Sequence, residues 1–172
     1  MKVIDLSKEI YSGMPVYPND PEVEISIFTD YKDSTWQLRK LSFGSHTGSH
    51  VDAFSHMHPG MASLDDLSLD RFFGVSQVVN QEGEWPYKTG LFFIEAVDID
   101  LFDKIITCRP LFVGGNISEP LERKLLENKI ITYTNLVNLD LIPKRKDFMF
   151  YGLPLKIRDG DGSPVRAMAI VE

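Results

Sequence analysis

A single cysteine, Cys108, is the only thiol in the chain, so no disulfide can form within it and a cysteine-built structural zinc site is excluded by the same count. Long apolar runs are also missing: none approaches the ~20 residues that a membrane-spanning helix requires. The first nine residues, Met-Lys-Val-Ile-Asp-Leu-Ser-Lys-Glu, interrupt every apolar pair with a charge or a hydroxyl, which does not suit a secretory signal. The expected location is therefore cytoplasmic. Positive charge is scarce, with 18 lysines and arginines against 25 acidic residues and a net charge of -7. The densest basic run, Lys144-Arg145-Lys146, follows a proline and reads as a solvated turn, so nucleic acid is not an expected partner. Neither a glycine-rich phosphate loop nor a Gly-x-Ser-x-Gly nucleophile motif occurs. There is no internal repeat and no Ser/Gly linker.

What is present fits one domain over residues 1–172, with 43% hydrophobic and 25% charged residues and enough length to bury a core without staples. Glu22 to Phe28 alternates polar and apolar, which predicts a strand with Val23, Ile25 and Ile27 turned inward. Trp36 to Phe43 predicts a second strand with a break in alternation at Lys40-Leu41, where a bulge is expected. Further strands are expected at 74–79, 90–94, 110–113, 130–133, 148–157 and 165–171, and helical turns at 63–73 and 98–106. The clearest helix starts at Ser118 as N-cap, carries Glu119 and Pro120 in its first turn, and sets Leu121, Leu125 and Leu126 on one face. Asp159-Gly-Asp-Gly-Ser-Pro164 reads as a hairpin turn; it lacks the further acidic positions of a calcium-binding loop. The expected class is α+β, with a mixed, mostly antiparallel sheet.

All four histidines lie within thirteen positions, in Gly44-Ser-His46-Thr-Gly-Ser-His50-Val-Asp52-Ala-Phe-Ser-His56-Met-His58-Pro-Gly60. Clustered imidazoles with a carboxylate among them are the donor set of a transition-metal site that zinc, copper, iron or nickel would suit. A helix is disfavoured by Gly48 and the β-branched Thr47 and Val51. A straight strand would hold His46 and His50 about 13 Å apart, beyond what one ion with ~2.0–2.2 Å bonds can bridge. The backbone must bend, and Gly48 is the residue that permits it. His46, His50 and Asp52 then form a three-ligand set with open positions for water and substrate. The cation would activate its water and polarise a carbonyl, and His56 would serve as general acid or base. The bland alternatives are Asp52 as an Asx-turn former and His58, before Pro59-Gly60, as an exposed turn residue.

The eleven residues His46-Thr-Gly-Ser-His50-Val-Asp52-Ala-Phe-Ser-His56 resemble the His-x-Gly-Thr-His-x-Asp-x-Pro-x-His signature of the metal-dependent cyclase family, which includes bacterial kynurenine formamidases. Ser49 replaces threonine, and Phe54 stands where proline is usual. Gly13-Met-Pro-Val-Tyr17-Pro-Asn-Asp20-Pro is similar to the family's Pro-x-aromatic-Pro-Gly-Asp loop, and 153–170 is similar to its carboxy-terminal hairpin. The resemblance implies a compact β/β/α, swivelling-type fold, a homodimer or larger homo-oligomer, and hydrolysis of an amide or lactone of a small molecule, as in tryptophan catabolism. It implies that His46, His50 and Asp52 bind a first divalent metal, zinc with manganese as a substitute, that Asp52 bridges to a second, that His56 is the acid/base, and that Tyr17 contacts substrate. In this chain Glu122 stands at the position of a second-metal histidine and Thr134 at that of a glutamate; Asn116 replaces an acidic residue. Two outcomes stay open on these residues: hydrolysis with one or two ions, or a family member that binds a ligand or metal without turnover. A third, an iron-dependent oxygenase, rests on His50-x-Asp52 plus a histidine as a facial triad.

Overall fold

The computed structural model describes residues 1–172 and contains eleven strands, two α-helices and several 3-10 turns. In chain order the strands are β1 (Lys2–Asp5), β2 (Glu24–Thr29), β3 (Leu38–Ser42), β4 (His50–Asp52), β5 (Phe73–Val79) and β6 (Gly90–Val97). Helix α1 (Phe102–Thr107), β7 (Phe112–Ile117), α2 (Glu119–Glu127), β8 (Ile131–Thr134), β9 (Phe148–Tyr151), β10 (Gly162–Pro164) and β11 (Met168–Val171) follow. Nine strands form one sheet in the order β1-β11-β9-β5-β6-β7-β8-β4-β10, while β2 and β3 pair as a separate ribbon. The centre, β5 to β8, is parallel, and every other pairing is antiparallel. Parallel neighbours require crossovers, and α1 and α2 lie in the connections that enter β7 and β8.

Strand alternation assigns a layer to each face. On β6, Leu91 and Phe93 pack with Val113 of β7 and with Ile105, Leu121 and Leu125 of the helices. Phe92 faces the other way and joins Phe112, Tyr133, Phe148 and Phe150 in the larger core. The α2 helix forms as its sequence predicts. Ser118 accepts a hydrogen bond from Leu121 N, proline sits in the first turn, and Leu121, Leu125 and Leu126 are fully buried.

Three expectations are corrected. Ile27 is 51% exposed on β2, because the β2–β3 ribbon stands off the main sheet; only Val23, just before it, is buried. The irregularity in that ribbon falls on β2, between Ile27 and Thr29, rather than at Lys40-Leu41. The 148–157 strand ends at Tyr151, after which 152–161 leaves β9 to form a wide loop before β10. This loop proves to matter for the site.

Candidate metal centre

The predicted bend is present at Gly48, whose φ of +65° lies in the left-handed region. The chain turns there out of the 43–49 loop and enters β4, so His50 and Asp52 sit on a buried strand paired with both β8 and β10. The turn folds His46 back over that strand: its ring centroid lies 5.2 Å from that of His50 and 3.8 Å from that of His56. His56 arrives on the 3-10 turn Phe54–His56 directly after β4. One segment therefore delivers three imidazoles and a carboxylate to one place. His58 is not among them; its Nε2 donates to the Arg123 carbonyl at 2.8 Å.

Two further carboxylates converge from other parts of the chain. The β10–β4 register sets Gly162 beside Asp52, and the preceding Asp161 reaches His46 Nε2 at 3.0 Å and His56 Nδ1 at 3.7 Å. Glu122 comes in from α2, with Thr132 Oγ1 2.7 Å from its Oε1 and 3.3 Å from Asp52 Oδ2. Thr134 Oγ1 lies 2.8 Å from His50 Nε2. The participation of Asp161 was missed in the sequence. The neighbouring Gly162 leaves no room for a side chain, since a Cβ there would stand 2.3 Å from His46 Cε1.

Electrostatically the cluster calls for positive charge. Asp52 is essentially buried, 1% exposed, and no lysine or arginine pairs with it or with Glu122. Burial works to raise the Asp52 pKa, but the hydrogen bond from His46 and the charges of His50 and His46 outweigh it and hold the group low. Burial works to lower the His46 pKa, yet its hydrogen bond to Asp52 (2.7 Å) and then to Asp161 raise it to about 9. A protonated His46 thus supplies the cation between two carboxylates. Burial, with the Asp52 charge behind it, pushes Glu122 up to about 8, so this acid is neutral at pH 7. Burial and the charge of His46 lower the pKa of His56.

The donor atoms fit a divalent ion. His46, Asp52 and His56 each offer a ligand atom within 4.8 Å of the other two. His50 Nδ1 donates to the Gly48 carbonyl at 2.8 Å. That bond orients the ring and turns Nε2 toward the cluster, the carbonyl–histidine arrangement usual behind metal-ligating imidazoles. The group lines a cavity of about 660 Å³ whose walls include Lys8, Met14, Pro15, Val16, Tyr17, Glu122 and Arg123. Tyr17 is thus placed on the cavity wall, 68% exposed, in a loop.

Residues 4–104 match the family model described as putative cyclase. The match takes in more than half of the chain, which belongs to this family. The kynurenine formamidase of Salinibacter ruber is 28% identical over 207 residues, spanning 98% of this chain and 97% of that protein. The kynurenine formamidase of Paracidovorax citrulli is 25% identical over 205 residues, with 95% and 94% covered. Among solved structures, an isatin hydrolase bound to the product analogue thioisatinate superposes with a TM-score of 0.84 at 18% identity, covering 99% of this chain and 92% of that one. A potential metal-dependent hydrolase with cyclase activity gives 0.77 at 22% identity, covering 98% and 96%. These structural likenesses establish the shared fold. No helix is long and apolar enough to cross a membrane.

Proposed function

We propose that this chain is a divalent-metal-dependent hydrolase of an amide or lactone bond in a small molecule, a formamide foremost. One observation carries the reading: three imidazoles and Asp52 converge at one point on the wall of a cavity large enough for a small substrate. Kynurenine formamidases among the relatives support the amide. His46, His50 and Asp52 would hold the ion, zinc or in its place manganese. When bound, such an ion supplies Lewis acidity for the carbonyl and acidifies water.

The remaining steps belong to side chains. Burial lowers the pKa of His56, which favours the neutral ring, and a neutral His56 can accept a proton. It is the most exposed of the clustered histidines, its side chain 30% accessible, so it can hand that proton to a leaving amine on the cavity side. Asp161, 3.7 Å from His56 Nδ1, stabilises its protonated form by charge. Glu122, whose carboxyl burial and the Asp52 charge push upward, hydrogen-bonds Thr132 beside Asp52. Tyr17 supplies an aromatic wall for the substrate. We also propose a homo-oligomer, supported by the exposed Ile27, Phe28 and Leu41 of the β2–β3 ribbon; light scattering reads it directly.

The test is turnover of formanilide and of a simple aryl lactone by protein loaded with zinc or manganese, with metal counted by elemental analysis. His50→Ala should lose the ion, while His56→Ala should keep it and lose turnover. Equal metal loss in His56→Ala would make His56 a ligand and overturn the division of roles. Full metal occupancy without turnover of either substrate would establish the binding-only reading, to which the neutral Thr134 beside His50 gives its support.

A further inference from the structure

We infer that Lys8 is the anion-binding residue of this cavity, and that the ligand it selects is a small amide bearing a carboxylate. The inference rests on the hydrolase reading for the word amide, and on the following geometry for the rest.

Two basic residues line the cavity besides its histidines, Lys8 and Arg123. Arg123 is already engaged: its guanidinium is 3.2 Å from Glu119 Oε1 and donates to the Met57 carbonyl at 3.4 Å. Lys8 forms no ion pair. Its Nζ donates to the neutral side-chain carbonyl of Asn135 at 3.0 Å, which uses one of three ammonium hydrogens and leaves its charge unmatched.

The position of Lys8 is tied to the metal-site segment. Lys8 N donates to Ser49 Oγ at 2.8 Å, and the Ser49 hydroxyl lies 2.6 Å from the Asn135 carbonyl. Ser49 stands between Gly48, which bends the chain, and His50, while Asn135 follows Thr134, the partner of His50. The Lys8–Ser49–Asn135 triangle is therefore one residue removed, on both strands, from the His50–Thr134 contact. Asn135 takes a left-handed φ of +56°, a conformation asparagine tolerates better than most residues and one that the triangle holds in place. Lys8 and Asn135 also line a neighbouring cavity of about 380 Å³, so the ammonium stands at a junction with room beside it for a further group. The Met14–Tyr17 stretch offers apolar surface for the ligand's body. A molecule with its scissile carbonyl at the histidines, a flat apolar middle and a terminal carboxylate satisfies all three features.

Two isosteric pairs test this. The products 2-aminobenzoate and 2-aminobenzamide, which differ by a charge, are titrated calorimetrically against wild type, Lys8→Met, Lys8→Arg and Lys2→Met. The last removes an exposed charge of the same terminal segment outside the cavity. Wild type and Lys2→Met should bind the benzoate roughly ten- to a hundredfold more tightly than the amide, the range of a charge-assisted hydrogen bond. Lys8→Met should bring the two within about twofold, and Lys8→Arg should restore most of the preference. Persistence of the preference in Lys8→Met, as when the ion alone holds the carboxylate, overturns the assignment, and so does a wild type that does not discriminate. The formylated pair, 2-formamidobenzoate and 2-formamidobenzamide, separates the two proposals. Lys8-dependent binding without cleavage of either would refute the hydrolase and retain the anion site; cleavage of both without charge preference would do the reverse.

Discussion

Replacing Gly162 by alanine should weaken metal binding at the site while leaving the fold standing. The glycine sits on β10 opposite Asp52, and a Cβ built on it would meet His46 Cε1 at 2.3 Å, Nδ1 at 2.7 Å and Nε2 at 2.9 Å. Ordinary van der Waals contact begins near 3.4 Å, so the ring must retreat by about 1 Å. The retreat acts on the ring that reaches Asp52 at 2.7 Å and Asp161 at 3.0 Å. Metal–ligand distances tolerate about 0.2 Å, so a displacement five times larger removes His46 from the donor set. Affinity for zinc should fall at least 10- to 100-fold, the loss seen when even an outer partner of a ligand is removed. The overpacking cost to folding, about 1–3 kcal/mol, is bearable for most domains of this size. Calorimetric zinc titration reads the first effect and urea unfolding in chelator the second. Gly44→Ala is the control from the same segment, because a Cβ there meets Pro21 at an ordinary 3.5 Å. Unchanged zinc affinity in Gly162→Ala would show that His46 does not ligate, and the reading of the centre would have to be rebuilt on His50, Asp52 and His56.

Three further outcomes follow from the packing and the charges. Leu125→Ala on α2, at a fully buried position of the helix-side core, should cost about 2–5 kcal/mol in urea unfolding, and a loss under 1 kcal/mol would mean the helix does not seal that face. Tyr133→Phe removes a buried hydroxyl that donates to the Gly152 carbonyl at 2.9 Å, with the Phe72 carbonyl at 3.3 Å; unfolding should show a loss of about 1–3 kcal/mol, since these carbonyls are left without that donor. Asp5 is held below its usual 3.8, first by the hydrogen bond from Arg166, with burial opposing and Ser7 adding to the lowering. A depressed carboxylate stabilises the fold above its unfolded pKa and loses that contribution as pH falls through the folded value. Arg166→Ala should therefore lower the urea midpoint slightly at pH 7, less in high salt, with the difference from wild type closing as the medium is acidified below 3.8; a difference that grows in acid would contradict the pairing.

The metal-site segment was legible because its constraint is local. Imidazoles four residues apart cannot meet on a straight strand, so a bend was required, and Gly48 was the residue able to make it. The α2 helix was legible for the same kind of reason, as its cap, proline and leucine spacing all act within nine residues. The parallel order of β5 to β8 was hidden, because short apolar runs carry no mark of direction and the pairing is decided by crossovers that pack against the whole sheet. Asp161 was hidden by distance along the chain, lying 115 residues from the histidine it bonds. Read in isolation, Asp159-Gly-Asp-Gly is turn chemistry, and turn chemistry is enough to account for it. What converts it into part of a site is the β10–β4 register, which sets Gly162 against Asp52 and so brings Asp161 to the imidazoles. The small residue and the acid thus have one explanation: the glycine makes space for the ring, and the aspartate beside it reaches that ring. A Gly-Asp-Gly turn followed by a short strand, in a chain that elsewhere clusters histidines around a carboxylate, is therefore worth reading as a contribution to the cluster before it is read as a loop.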